Sequence, residues 1–90
     1  MVEPGPIRDW RRIAVEMLMT DADLALLTVS SLFSKSDREA VTRLVGNARE
    51  VYDAVCLRRK EIELSHQESA RLDDKLDQLR TGLRFFGEVV

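Results

Sequence analysis

The chain has little of what several specialised protein classes require. Its 90 residues include one cysteine, two prolines, four glycines, one tryptophan, one tyrosine and three phenylalanines. The lone cysteine, Cys56, has no partner for an internal disulfide, so the fold does not depend on an oxidising compartment. Both prolines lie in the first six residues, and this composition favours helix over sheet.

Neither sign of charge dominates, and no long apolar run occurs. The 14 basic and 16 acidic residues give a net charge of −2, so no domain-wide positive field is available for a nucleic-acid backbone. No segment approaches the ~18 uninterrupted apolar residues of a membrane span. The first residues lack the basic start and apolar stretch of a signal peptide. We therefore expect a cytoplasmic protein with no membrane partner.

What the chain does contain is a set of helix-start signals. Four Ser/Thr residues are followed three positions later by an acid, the spacing at which a hydroxyl and a carboxylate satisfy unpaired backbone N–H groups. Ninety residues make one domain with a thin core. We predict a flexible lead-in over residues 1–6 and one helical domain over 7–90. The four spacings are Thr20/Asp23, Ser34/Asp37, Ser36/Glu39 and Ser65/Glu68.

The predicted fold class is all-α, an antiparallel up-down-up bundle of three long helices. Short connections place sequential helices side by side in opposite directions. A cap at Thr20 would break the first helix, although the absence of loop residues before it leaves one bent helix as an alternative. The four predicted segments are 7–18, 21–33, 37–62 and 66–86.

The first two segments carry apolar residues in two different patterns. In segment 7–18 they recur at spacings of three and four and form one stripe, with arginines and Glu16 on the other side. From Leu24 to Phe33 the chain is apolar almost all round, which is typical of a helix buried on several sides. A short chain offers little to surround such a helix, so this run indicates a central helix or a subunit interface. The stripe residues are Ile7, Trp10, Ile13, Ala14, Met17 and Leu18.

The later segments carry regular seams of apolar residues. The seam of 37–62 keeps its phase across Gly46, so we expect one helix there and not two divided at Gly46-Asn47. Glycine inside a helix costs about 1 kcal/mol relative to alanine, so a neighbour should pack closely against Gly46 or the helix should bend. Gly87 is expected to end the last helix. The seams are Val41, Leu44, Ala48, Val51, Val55 and Ile62, then Leu72, Leu76, Leu79, Leu83 and Phe86.

The residues needed for catalysis or metal binding do not occur in supporting patterns. His66 is the only histidine, and no nucleophile stands at a supporting spacing from it. One histidine and Cys56 do not assemble a structural zinc site. Asp73, Asp74 and Asp77 lie among basic residues, which is typical of a solvated, charge-balanced helix face. We therefore expect a protein that is not an enzyme and has no metal, cofactor or catalytic residue.

One stretch resembles a known family of helical hairpins. Asn47 to Val55 contains Ala-x-x-x-Tyr, formed by Ala48 and Tyr52, and looks like the second helix of a tetratricopeptide hairpin. Ser65 to Leu83 then resembles the capped helix that follows. The same order of elements resembles short bacterial helical proteins of unassigned function. The resemblance implies a helical scaffold that binds peptides or proteins, and it carries over no functional residue.

These observations lead to two hypotheses about function. The first is a non-enzymatic helical protein–protein interaction or scaffold module that self-associates, for example as a homodimer, because the apolar surface exceeds what one thin bundle hides. The second is a small DNA-binding or toxin–antitoxin-type regulator, in which Arg38, Thr42 and Arg43 face the major groove. The predicted partner-binding residues of the first hypothesis are Leu26, Val29, Phe33, Phe85 and Phe86.

Overall fold

The computed structural model describes the backbone of residues 6–90 and the side chains from Trp10 onward. This part of the chain forms three α-helices and no strand, which confirms the predicted all-α three-helix bundle. The predicted lead-in lies outside the described residues, except for Pro6, which begins the first helix. The helices are α1 (Pro6–Leu32), α2 (Arg38–Arg58) and α3 (His66–Phe85), with a 3-10 turn at Arg59–Glu61.

The predicted break near Thr20 is not confirmed, because α1 is one helix of 27 residues. Its buried stripe keeps the three-and-four spacing through this point. The acids that suggested a cap form ion pairs between helices instead: Asp21 Oδ2 lies 3.4 Å from Arg58 Nη1, and Asp23 Oδ1 lies 2.5 Å from Lys75 Nζ. The buried stripe consists of Val15, Leu18, Ala22, Ala25, Val29 and Leu32.

The ends of α2 differ slightly from the predicted 37–62. The helix is capped by Asp37, whose Oδ1 accepts hydrogen bonds from the backbone N–H groups of Glu39 and Ala40 at 3.0 and 3.3 Å. The predicted caps Ser34 and Ser36 do not serve this role. At the other end the α-helix stops at Arg58, and the chain tightens into the 3-10 turn before Ile62. The helix continues without interruption through Gly46 and Asn47, as the phase of its seam predicted.

The predicted start of α3 and its stop at Gly87 are confirmed, and the helix itself ends one residue before the predicted residue 86. The Ser65 hydroxyl accepts from the Glu68 N–H at 3.1 Å while the Glu68 carboxylate accepts from the Ser65 N–H at 2.8 Å, which forms a reciprocal capping box. At the C-terminus Gly87 has φ +95°. Its N–H donates to the Arg84 carbonyl and the Glu88 N–H donates to the Leu83 carbonyl, both at 3.0 Å. This pair of bonds is the Schellman arrangement, which favours glycine.

The core consists of two apolar clusters, and α1 contributes to both. No buried residue in the described part of the chain is polar or charged. α1 packs more extensively against α2 and α3 than these two pack against each other, so it is the central helix that the apolar run 24–33 suggested. One cluster contains Ala25, Val29, Leu32, Val45, Ala48, Leu79 and Leu83, and the other contains Leu18, Ala22, Val55, Leu72 and Leu76.

The close helix contact expected at a glycine occurs at Gly82 and not at Gly46. A Cβ atom added to Gly82 would lie 2.6 Å from Val29 Cγ1, whereas one added to Gly46 would meet nothing within 4 Å. The expectation of a close neighbour at Gly46 was therefore wrong. The missing side chain of Gly82 lets α3 approach Val29 near the C-terminal ends of α1 and α3.

The molecule is a narrow rod. Its principal extents are 58 × 23 × 18 Å, and an α-helix with its side chains is about 10 Å wide. The cross-section is therefore about two helices across, and every helix keeps an outward face. No helix in the described range is both long and apolar enough to cross a bilayer.

Candidate interaction surfaces

The largest apolar feature on the surface is a second stripe along α1, which we call the outer seam. Its five large side chains are exposed to between 43% and 68% of their area. Their spacing of three and four residues continues through the exposed Thr20. The sequence pattern placed Trp10, Ile13 and Met17 in one apolar stripe with Ala14 and Leu18. Of these five residues, only Leu18 is buried. The outer seam consists of Trp10, Ile13, Met17, Leu24 and Leu27.

The choice between the two stripes follows from side-chain size. The buried stripe includes Ala22 and Ala25, which are 0% and 3% exposed and let α2 and α3 come close to the α1 backbone. The outer seam carries Trp10 and Met17, which would hold both neighbours apart. At 3.6 residues per turn the two stripes lie on roughly opposite sides of the helix. One bundle therefore buries the narrow stripe and leaves the bulky one outside.

Two apolar grooves adjoin the N-terminal half of the outer seam. One, of about 390 Å³, lies between Trp10, Ala14 and Ile62. The other, of about 220 Å³, lies between Ala14, Met17 and Ile62, with Arg58 at its edge. Both form where α1 passes the end of α2 and the 3-10 turn. The seam thus has hollows beside it at one end, whereas Leu24 and Leu27 project at the other.

A second apolar patch lies at the end of the rod where α1 and α3 both finish. Phe33, Phe85 and Phe86 form an aromatic cluster with ring centroids 5.1 to 5.2 Å apart. Tilted and edge-on contacts of this kind stabilise ring clusters. Phe33 and Phe85 are 61% and 69% exposed, while Phe86 is half-buried against the core. The antiparallel topology brings these three predicted contact residues together.

The other two predicted contact residues lie elsewhere. Val29 is 4% exposed and packs against Gly82, so it belongs to the core of the chain itself. Leu26 is half-buried beside the same cluster. The structure therefore brings together three of the five predicted residues. Sequence reasoning missed the outer seam as one continuous surface because it divided the helix at Thr20 and treated the two halves of the seam as parts of different segments.

Polar contacts hold the C-terminal tail beside the aromatic cluster. Arg49 Nη1 lies 3.2 Å from Glu88 Oε1 and donates to the Val89 carbonyl at 2.9 Å. The Arg84 guanidinium donates to the Val90 carbonyl at 2.6 and 2.9 Å. Hydrogen bonds with Asp53 and then with Glu88 raise the pKa of Arg49. The tail is thus fixed to both α2 and α3 next to Phe86.

The acidic residues of α3 line an open groove of about 600 Å³ that also contacts Tyr52 and Cys56. Asp73 forms an ion pair with Arg59, and Asp74 accepts from the Gln78 amide at 2.9 Å. Asp73 and Asp77 have side chains 61% and 74% exposed. The carboxylates therefore lie on a solvated, charge-balanced face, as their sequence surroundings predicted.

Cations line the same groove on its other side. The Arg59 guanidinium donates to Ser69 Oγ at 3.0 Å, and Arg80 Nε donates to the Tyr52 hydroxyl at 3.2 Å. The hydrogen bond with Tyr52 raises the pKa of Arg80. These bonds connect α2 and the 3-10 turn to α3. Both cations of the groove therefore hold neighbouring elements together.

The remaining candidate residues stand apart from one another. His66 is exposed in the first turn of α3, and Arg38 and Arg43 are exposed on α2. Across the described side chains, no three His, Cys, Asp or Glu groups are arranged to hold a metal ion. Comparisons of the chain with protein-family models, with curated proteins and with solved structures found no match. The resemblance to tetratricopeptide hairpins stays a prediction.

Proposed function

We propose that this chain is a non-enzymatic helical interaction module that self-associates. The observation that carries the proposal is the distribution of apolar side chains among the described residues. Nine large hydrophobic residues are exposed to between 43% and 89%, while the buried set is already entirely apolar. These nine side chains lie outside the core, and contiguous exposed apolar surface on a small domain is typical of a protein-binding site.

The arrangement of these residues supports an interface more than their number does. From Trp10 to Leu27 the outer seam extends about 26 Å along one helix. The aromatic cluster adds three touching rings at the end of the rod. Aromatic and methionine side chains are enriched at the centres of interfaces. Scattered single hydrophobic residues would need no such explanation.

A non-enzymatic role is supported by the state of the reactive side chains. The α3 carboxylates are engaged with Arg59 and Gln78, and Cys56 lies half-buried in the wall of a broad open groove. Catalytic groups usually converge in a concave, dry site where burial shifts their pKa values. A helical rod with solvated charges offers a surface for another protein.

The oligomeric mass of the purified chain tests this proposal. Sedimentation velocity from submicromolar to near-millimolar concentration should show a shift from monomer to a defined oligomer. The midpoint should change little with salt at moderate ionic strength, because ions screen interactions between charges and not apolar contacts. A monomer mass over the whole range would contradict self-association.

DNA binding is a second candidate, supported by one observation. Arg38 and Arg43 are exposed near the start of α2, and neither forms an ion pair with another described residue. Against it, α1 and α2 pack lengthwise, whereas helix-turn-helix motifs cross steeply. A gel-shift assay with duplex DNA at low salt tests this function, and Arg38→Ala and Arg43→Ala should weaken any complex. Absence of a shift would remove it.

A further inference from the structure

We infer that the outer seam of α1 is the self-association surface and that it binds the outer seam of a second copy in antiparallel orientation. This inference rests on the proposed function and specifies its partner and geometry. The aromatic cluster is the competing surface on the same chain. Substitutions on the outer seam and on the aromatic cluster distinguish the two surfaces.

The outer seam has the spacing that an identical helix recognises. Alternation of three and four residues places side chains along one line of a helix, where they pack into the gaps of a second such line. The sequence positions are also balanced about the midpoint between residues 18 and 19. An antiparallel pair then places Trp10 opposite Leu27, Ile13 opposite Leu24, and Met17 opposite Thr20. Every contact occurs twice, as a two-fold interface requires.

The exposed area is sufficient for such a pair. Five large side chains exposed to between 43% and 68% present on the order of 500 Å² per copy. Two copies would bury about 1,000 Å² before the groove walls are counted, which is the area of a weak, reversible interface. The three rings of the aromatic cluster offer less, because Phe86 is already half-buried.

The grooves beside the seam favour the antiparallel orientation. The hollows lined by Ala14 and Ile62 adjoin the N-terminal half, and the projecting Leu24 and Leu27 belong to the C-terminal half. Antiparallel pairing brings the leucines of each copy over the hollows of the other. Parallel pairing would set hollows against hollows and would place Thr20 against its own copy.

Two of the carboxylates that border the seam are paired with cations of the same chain. Asp21 lies beside Arg58 at 3.4 Å, and Asp23 lies beside Lys75 at 2.5 Å. Each of these carboxylates therefore meets the second copy with its charge already offset by a cation of its own chain. Association needs no new ion pair.

Glutamate substitutions on the two surfaces test which one associates. Met17→Glu and Leu27→Glu each place a charge in the proposed interface, and each should raise the dimer Kd by about 30-fold or more. Asn47→Glu adds the same charge at an exposed position of α2, away from the seam, and it should leave the mass unchanged. Phe85→Glu should also leave the dimer intact. Circular dichroism checks that each variant remains helical.

Cysteine cross-linking tests the orientation in a Cys56→Ser background. A mixture of Ile13→Cys and Leu24→Cys chains should form a disulfide-linked pair, because these positions face each other. Ile13→Cys alone should not, since the two copies of residue 13 would be about 16 Å apart along the helices, beyond the reach of a disulfide. Efficient cross-linking of Ile13→Cys to itself would overturn the antiparallel arrangement.

The outcomes separate the inference from the proposed function. Monomeric seam variants with a dimeric Asn47→Glu control support both. A dimer that survives both seam substitutions overturns the inference and leaves self-association standing. A wild-type chain that is monomeric at every concentration overturns both.

Discussion

The two apolar stripes of α1 share a helix and a spacing but have opposite surroundings. Leu18 is 1% exposed, whereas Met17, the preceding residue, is 54% exposed. The buried stripe is built from valine, leucine and alanine, and the outer seam contains the tryptophan, a methionine and longer aliphatic residues. The spacing of apolar residues therefore locates a stripe on the helix, while side-chain size decides which stripe the neighbouring helices can approach.

The comparison also separates stability from association. The buried stripe holds α2 and α3 in two clusters, so its residues determine whether the bundle folds. The outer seam contributes little to that packing and is available for a second chain. Substitutions on the two stripes should therefore affect different measurements.

The largest expected effect comes from truncating neighbours on the two stripes. Leu18→Ala should lower the free energy of unfolding by about 3 kcal/mol, because it leaves a cavity in a packed cluster. Met17→Ala should lower it by less than about 0.5 kcal/mol, as most surface substitutions do. Urea denaturation at a concentration where the chain is monomeric measures both. Equal losses would contradict the assignment of the two stripes.

The two helical glycines extend the comparison to helix contacts. Gly82→Ala should destabilise the fold by about 1–3 kcal/mol, since the new methyl group overlaps Val29. Gly46→Ala should stabilise it by about 0.5–1 kcal/mol, because the position is open and alanine favours helix. The same denaturation experiment measures both variants. A stabilising Gly82→Ala would show that α3 does not approach α1 closely at this point.

The caps give a smaller effect that distinguishes real helix starts from sequence matches. Ser65→Ala removes the hydroxyl of the capping box and should cost about 1 kcal/mol. Ser36→Ala should change stability little, since Asp37 caps α2. Thermal melting of the two variants makes the comparison. A larger loss from Ser36→Ala would place the start of α2 one residue earlier.

The smallest effect concerns the contact that holds the N-terminal half of α1 to α3. The Glu68 carboxylate accepts hydrogen bonds from the Ser65 N–H at 2.8 Å and from Arg11 Nη2 at 2.6 Å. These bonds lower the pKa of Glu68 from the ordinary 4.5, and the bond from the Ser65 backbone is the largest cause. A lowered folded-state pKa stabilises the fold above the unfolded value, and this stabilisation is lost as pH falls through the folded value.

We therefore expect the melting temperature to fall as pH drops below about 4.5, partly through Glu68. Glu68→Gln cannot titrate at this position. The difference in melting temperature between wild type and Glu68→Gln should therefore shrink as pH falls below about 4.5. Melting curves of both proteins at several pH values measure it. A constant difference down to low pH would show that the carboxylate charge does not contribute.

Local features of the fold were predictable from sequence, whereas features set by packing were not. The Ser65 box and the Gly87 stop depend on neighbouring residues, and both are confirmed. Thr20 has the same spacing to an acid, but Asp21 and Asp23 bind Arg58 and Lys75 outside α1. Gly46 and Gly82 look alike in sequence, and only the assembled bundle shows which one touches a neighbour.

The candidate surfaces show the same limit. Phe33, Phe85 and Phe86 were predictable as a contact group, because short connections in an up-down-up bundle place the ends of α1 and α3 together. Val29 was assigned to the surface although the core required it. The outer seam was missed because two stripes of equal period compete on α1, and sequence spacing alone does not rank them.

Fluorescence quenching of Trp10 reports directly on whether the outer seam is buried when two copies associate. Trp10 lies in that seam and is 68% exposed in the monomer. Its fluorescence should be readily quenched by acrylamide at low protein concentration and protected as the dimer forms. In the Leu27→Glu variant it should stay accessible at every concentration. A wild-type dimer in which Trp10 remains fully accessible would show that the outer seam is not the dimer interface.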